Sequence, residues 1–180
     1  MLSSTYLPLL ILLPALAAAA NATYLTATAI VTNGQNHSAL ECWEFSTPLA
    51  VSSDAGTRGV SVFNFAGVTN AVYTVIPPRF NGGTHNAPRP QIVLFLSGLA
   101  HITLPERTSL NASHDEAWIL GGADALVLAL DVVGTGHVTT YPSDEPTVSV
   151  QLPFAGSGRV PAHRVLGAGP CAGEGQVVGG

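Results

Sequence analysis

The chain has 180 residues, only 9% of them charged, and its formal net charge is −5. All six basic residues are arginine. The sequence therefore lacks the basic patches that nucleic-acid binding requires, and we exclude that class of partner. Without the N-terminal segment described next, the remainder is long enough for one domain with a sizeable core.

The N-terminal segment, residues 1–22, is predicted to be a secretory signal peptide. An apolar run from Leu7 to Ala20 is interrupted only by two prolines and leads into small residues that suit signal peptidase. The run is short for a membrane span, although an N-terminal anchor is the alternative interpretation. No later segment is apolar for long enough to cross a bilayer. We therefore expect a secreted protein with no membrane association after cleavage.

Beyond this segment the sequence predicts strands and no convincing helix. The expected strands, in chain order, are 24–32, 40–45, 60–65, 71–76, 91–96, 101–104, 118–120, 125–130, 137–140 and 148–152. Turn residues such as Asn33-Gly34 and Gly134-Thr135-Gly136 separate them. About ten short strands at regular spacing predict an all-β sandwich or barrel. We expect irregular structure after Pro153 and a flexible tail over residues 172–180.

Two cysteines and the glycosylation sequons fit a secreted chain. Cys42 and Cys171 are the two cysteines, and such a pair most often forms a disulfide outside the cell. Closing so long a loop would stabilise the fold by about 4–5 kcal/mol; a catalytic thiol is the alternative. The N-x-S sequons at Asn36 and Asn111 are predicted glycosylation sites, whereas a third sequon at Asn21 lies at the cleavage point.

Two segments in the middle of the chain share one pattern. The first, from His85, reads HNAPRPQIVLFLSG, and the second, from Asp124, reads DALVLALDVVGTGHVTT. Each combines an apolar strand, a glycine turn and one histidine beside a strand. Together they resemble the two signature segments of small single-domain cupins. The resemblance covers roughly residues 80–152 and implies an all-β, cupin-like antiparallel β-sandwich or barrel (a jelly roll) over residues 23–171; it bears on fold more than on function.

The cupin resemblance is incomplete at the metal-ligand positions. Six residues separate Gln91 from the turn glycine Gly98, which puts a glutamine in the place of the family's acidic ligand. The first segment has a single histidine, His85, and the second contributes His137. Because a neutral amide is a poor metal ligand, we predict that the protein uses no metal or other cofactor. A metal-dependent cupin enzyme remains the alternative.

Strand alternation places several candidate side chains on shared faces. Arg89, Gln91, Val93 and Phe95 lie at alternating positions, so they share one face if the strand extends that far. In cupins the ligand positions face the interior, which would give a mostly apolar pocket with a few polar groups. We expect three catalytic residues, His85, Arg89 and His137, and substrate contacts from Gln91, Val93, Phe95, His101, Trp118 and Thr139. Each also has a structural interpretation: His85 as a surface residue, Gln91 as a core amide, Trp118 as core or pocket wall.

The predicted secretion, glycosylation, disulfide and incomplete metal set together resemble glycosylated fungal enzymes of tropolonic sesquiterpenoid biosynthesis. That resemblance implies a metal-independent cyclase or lyase that forms a quinone methide by dehydration and guides its hetero-Diels–Alder cycloaddition. Holding two reactants together can remove about 7–11 kcal/mol of barrier. The expected partner is a hydrophobic small molecule, and a homodimer is left open. The other alternative is a secreted binding protein without catalysis.

Overall fold

The computed structural model describes residues 22–65, 67–156, 160–172 and 177–179. The strands are β1 (Thr23–Thr32), β2 (Ser38–Phe45), β3 (Ala50–Val51), β4 (Ser61–Val62), β5 (Val72–Ile76), β6 (Asn81–His85), β7 (Gln91–Ser97), β8 (Leu99–Thr103), β9 (Glu116–Leu120), β10 (Leu126–Ala129), β11 (His137–Thr140), β12 (Thr147–Pro153), β13 (His163–Ala168) and β14 (Val177–Gly179). The helical content of these residues is one 3-10 turn, Ala112–His114. The predicted signal peptide lies outside the described residues, except for Ala22.

The strands form two main sheets. The large sheet has the order β13-β2-β1-β10-β7-β12-β5, with β14 also paired to β1, and the small sheet has the order β6-β11-β8-β9. The predicted all-β sandwich is therefore confirmed, and the described residues do not close into a barrel. Most neighbours are antiparallel as expected, but β1 and β10 pair in parallel.

The central strands of the large sheet are buried on both faces, whereas its edge strands β5 and β13 are mostly exposed. On the face toward the small sheet, a first core packs Val93 and Phe95 of β7 against Ala100 and Ile102 of β8. On the opposite face a second core is built around Phe45. All four residues of β10 are buried, since a strand covered on both sides reads as a continuous apolar run.

Several segments differ from the sequence-based prediction, among them β3 and β6, which were not predicted as strands. Only Ser61 and Val62 form a strand within the expected segment 60–65. The chain leaves the strand after Val62 because Phe63 and Phe65 turn inward and pack against Phe45 in the second core, with tilted and edge-on ring contacts. The expectation of irregular structure after Pro153 is wrong, because β13 pairs with the edge of β2. Residues 177–179, predicted to be part of a flexible tail, pair with β1.

The predicted disulfide between Cys42 and Cys171 is confirmed. The two residues are 129 positions apart in sequence, with their Cα atoms 4.5 Å apart. The backbone N–H of Cys171 also donates a hydrogen bond to Thr28 Oγ1 (3.0 Å). This cross-link is compatible with an oxidising secretory compartment. Within the described residues, no helix has the length and apolar character needed to cross a membrane.

Candidate functional site

A small cavity of about 80 Å³ lies between the two sheets. Six of the nine residues predicted for the site line it: His85, Gln91, Val93, Phe95, His137 and Thr139. The other lining residues are Ile30, Ala87, Pro88, Ile102, Val127, Ala129, Tyr141, Ser149 and Gln151. None of these described lining residues is Arg, Lys, Asp or Glu. The cavity is therefore suited to an uncharged, mostly apolar group.

Two histidines face each other across neighbouring strands beside this cavity. The register of β6 and β11 puts His85 directly opposite His137, and their ring centroids are 4.5 Å apart. Gly136 permits this close approach: it has φ +72°, and a Cβ there would lie 2.7 Å from the carbonyl oxygen of His85. His137 is buried, whereas His85 is exposed at the mouth of the cavity.

A buried carboxylate lies behind His137. Asp131, which is fully buried, accepts a hydrogen bond at Oδ2 from Nδ1 of His137 (2.8 Å). The same oxygen accepts a second hydrogen bond from the hydroxyl of Ser38 (2.7 Å). The backbone of Asp131 is held by Asn86, whose Nδ2 donates to its carbonyl oxygen (2.9 Å). From the sequence, Asp131 is one of several possible acids without a marked pairing, and neither Asp131 nor Ser38 was predicted for the site; the available signal was a carboxylate just after a buried strand and shortly before His137.

These contacts assign the tautomer of both imidazoles. His85 Nδ1 lies 3.0 Å from the carbonyl oxygen of Gly83, and a carbonyl only accepts, so Nδ1 carries the proton. His137 Nδ1 faces a carboxylate, and the same argument applies. Among the described residues, Nε2 of each ring has no hydrogen-bond partner. The site therefore offers two unprotonated imidazole nitrogens that can each accept a proton, and a ring that has taken up a second proton can deliver it from Nε2.

Neutral polar side chains complete the cavity wall. The amide of Gln91 is buried and forms no hydrogen bond with the described residues. Burial raises the pKa of Tyr141 above its ordinary value, so its phenol stays neutral and can donate a hydrogen bond. Ser149 shares a hydrogen bond with Thr74 (3.2 Å between the hydroxyl oxygens). Together these groups can orient a hydroxyl or carbonyl group within an apolar enclosure.

Arg89 lies outside this cavity, contrary to the sequence-based prediction. It is exposed in the bend between Pro88 and Pro90, and β7 begins only at Gln91. Strand alternation therefore does not extend back to Arg89, and its side chain is not carried inward with Gln91. This position outside the cavity does not support a catalytic role for Arg89.

His101 and Trp118 are also outside the cavity. Alternation along β9 buries Ala117 and Ile119 and leaves Trp118 56% exposed, so the expectation that Trp118 is core or pocket wall is wrong. Its indole stacks on the ring of His101, with centroids 3.7 Å apart and planes 8° apart. His101 Nε2 in turn lies 2.9 Å from a carboxylate oxygen of Glu116. These three residues form an outer-face stack that does not touch the cavity.

The two predicted glycosylation sites are both exposed, but their serines differ. Ser113 of the Asn111 sequon is exposed, and its hydroxyl donates to Asn111 Oδ1 (2.8 Å). Ser38 of the Asn36 sequon is fully buried against Asp131. Glycosylation at both asparagines stays a prediction; at Asn36 it would have to precede folding, since the sequon serine is inaccessible afterwards.

The side chains at the cavity do not fit a metal site of the kind that the cupin resemblance raises. The nearby donors that line the cavity are the two free imidazole nitrogens and the neutral amide of Gln91; Asp131 does not line it, and its Oδ2 is already hydrogen-bonded by His137 and Ser38. The described part of the chain contains no group of three or more His, Cys, Asp or Glu side chains that could hold a metal ion. Such a set lacks the ligand number and charge of protein metal sites.

Comparison with known proteins adds no assignment. No protein-family model matches the chain, and a search of curated proteins found no similar sequence.

Proposed function

We propose that the protein is a metal-independent lyase that removes water from a hydrophobic small molecule, with His137 as the base and His85 as the acid. The observation that carries this proposal is the pairing of His137 with the buried Asp131, which leaves one ring nitrogen of a cavity-lining imidazole free. A carboxylate behind a histidine orients the ring and stabilises the charge that the ring gains when it accepts a proton.

The proposed step balances with two histidines. His137 Nε2 accepts a proton from the substrate while its Nδ1–H stays bonded to Asp131. The protonated ring of His85 donates a proton from Nε2 to the departing hydroxyl, which leaves as water. The electrons of the broken substrate bond to hydrogen form the new double bond. Afterwards His137 has gained one proton and His85 has lost one. The pair is restored when His137 Nε2 releases its proton through the cavity mouth to solvent and the exposed His85 takes one up from solvent.

The size of the cavity limits what enters it. Pockets for drug-sized ligands are typically about 300–1,000 Å³, whereas this cavity is about 80 Å³. We therefore propose that only the hydroxyl-bearing end of the substrate enters, and that the bulk of the molecule stays at the mouth near His85. A hetero-Diels–Alder step needs room for two reactants together, so elimination is the reaction we assign to the cavity, and any cycloaddition would follow outside it.

We further propose that this reaction takes place in the secretory pathway or outside the cell. The Cys42–Cys171 disulfide, the apolar N-terminal sequence and the two exposed sequon asparagines support this location. A low content of charged residues, together with the predicted glycosylation, suits an extracellular role in processing an apolar metabolite.

An assay with extract from cultures of the source organism tests the proposal and identifies the substrate at the same time. Purified, chelator-treated protein is incubated with the extract, and all small molecules are compared by mass spectrometry before and after. We expect one compound to be consumed and a product lighter by one water to appear. A compound that co-purifies with the protein unchanged would favour the binding-protein alternative and contradict the lyase.

A further inference from the structure

Ser38 contacts the proposed catalytic pair without lining the cavity. It is the first residue of β2 and is fully buried, and its hydroxyl donates to Oδ2 of Asp131 (2.7 Å). Its own backbone N–H donates to Thr135 Oγ1 (3.0 Å), in the turn that leads to His137. The position of Ser38 is therefore set by two contacts: the pairing of β2 with β1, and the hydrogen bond to the turn before β11.

The carboxylate of Asp131 depends on Ser38 for its orientation. Both of its hydrogen bonds fall on Oδ2, and its other oxygen, Oδ1, is buried without a partner in the described residues. The torsion that rotates a carboxylate is soft and has broad minima. If the hydroxyl of Ser38 were removed, only His137 would hold the group, and the two oxygens would compete for that single donor.

We propose that Ser38 is a positioning residue that, through Asp131, holds the imidazole of His137 in one tautomer and one orientation. The assignment rests on the proposed function, because it matters for catalysis only if His137 transfers a proton. A merely structural serine would also lower stability when it is replaced, so the test must report on the ring of His137 itself.

The wild type and three variants, all expressed in a eukaryotic host, make the test specific. Ser38→Ala removes the hydroxyl and also destroys the Asn36 sequon, whereas Asn36→Gln destroys the sequon and keeps the hydroxyl, at the cost of some strain because Asn36 has φ +63°. Ser38→Thr keeps both the hydroxyl and the sequon. In the 18.4 kDa chain, nuclear magnetic resonance of selectively labelled histidine can resolve the Nδ1–H signal of His137 and the tautomer of its ring.

The wild type, Asn36→Gln and Ser38→Thr are expected to show one tautomer, with a proton on Nδ1 and a downfield, slowly exchanging Nδ1–H signal. Ser38→Ala is expected to show a mixture of tautomers and to lose the slow exchange. Turnover in the dehydration assay should fall roughly 10- to 100-fold, which is the typical loss when a hydrogen-bonding partner that orients a functional side chain is removed.

An unchanged tautomer and Nδ1–H signal in folded Ser38→Ala would overturn the proposal. If that variant does not fold, the hydroxyl proton of Ser38 in the wild type decides: exchange as fast as in an exposed serine contradicts the bond to Asp131, and slow exchange supports it. The resonance measurement needs no substrate. A tautomer change in Ser38→Ala without any turnover in the wild type would therefore support the positioning role and reject the lyase.

Discussion

A substitution that fills the cavity should raise the stability of the protein and abolish its turnover. Ala129 on β10 lines the cavity opposite Ile30 of β1, and Ala129→Val would add two methyl groups to that space. Filling all of the roughly 80 Å³ at about 24 cal/mol per Å³ sets an upper limit near 2 kcal/mol of added stability. Because part of the wall is polar and only two groups are added, we expect a gain of about 1 kcal/mol, together with loss of substrate turnover.

The matched control for this substitution is Ala29→Val on the neighbouring strand. Ala29 is also an alanine in a buried strand, but it faces the second core and lines no part of the cavity. Adding the same methyl groups to a filled core should lower the free energy of unfolding by about 1–3 kcal/mol. Urea unfolding of both variants measures the difference. Equal destabilisation by the two substitutions would refute the presence of usable space at Ala129.

Three other predictions concern the fold and the wall of the cavity. Replacing Cys42 and Cys171 by serine should lower the free energy of unfolding by about 5 kcal/mol, because the loop spans 129 positions; a loss below about 1 kcal/mol would contradict this entropic estimate. In the same urea assay, Phe45→Ala should lower the free energy of unfolding by about 3–5 kcal/mol, because Phe45 is fully buried. Trp118 is exposed, so Trp118→Ala should lower it by only about 1–2 kcal/mol, and the reverse order would contradict the two-core arrangement. The pKa of Tyr141 is raised above 10.0 in the folded state, so the stability of the wild type relative to Tyr141→Phe should fall as the pH rises above 10.0 and should not change with pH below it. A difference ultraviolet titration of the two proteins in which Tyr141 ionises at its ordinary pKa of 10.0 would disprove the shift.

Most strands were predictable because their side chains alternate or form buried apolar runs. Strand β6 was not, because its sequence, Asn-Gly-Gly-Thr-His, carries no strand signal and is held extended by pairing with β11. Strand β13 was missed for the same reason, because its pairing with the edge of β2 decides its conformation. Local sequence therefore predicts strands that bury an apolar face, and tertiary pairing decides the rest.

The site was only partly predictable from the sequence. His85 and His137 were singled out by their places in the two cupin-like segments, and the register of β6 and β11 brings them together. Asp131 meets Ser38 across 93 positions of sequence, a contact that no local pattern encodes. Trp118, by contrast, was within reach of sequence reasoning, since the alternation of β9 alone places it on the outer face.

The most direct test of the central claim is the turnover of chelator-treated wild type and His137→Gln on the compound found in the extract assay. Arg89→Ala, outside the cavity, serves as the control variant. If His137 transfers the proton without a metal, the wild type and Arg89→Ala should remain active, whereas His137→Gln should lose about 10²–10⁴-fold in turnover while remaining folded. Equal turnover in His137→Gln, or loss of wild-type turnover that a divalent metal restores, would contradict the account.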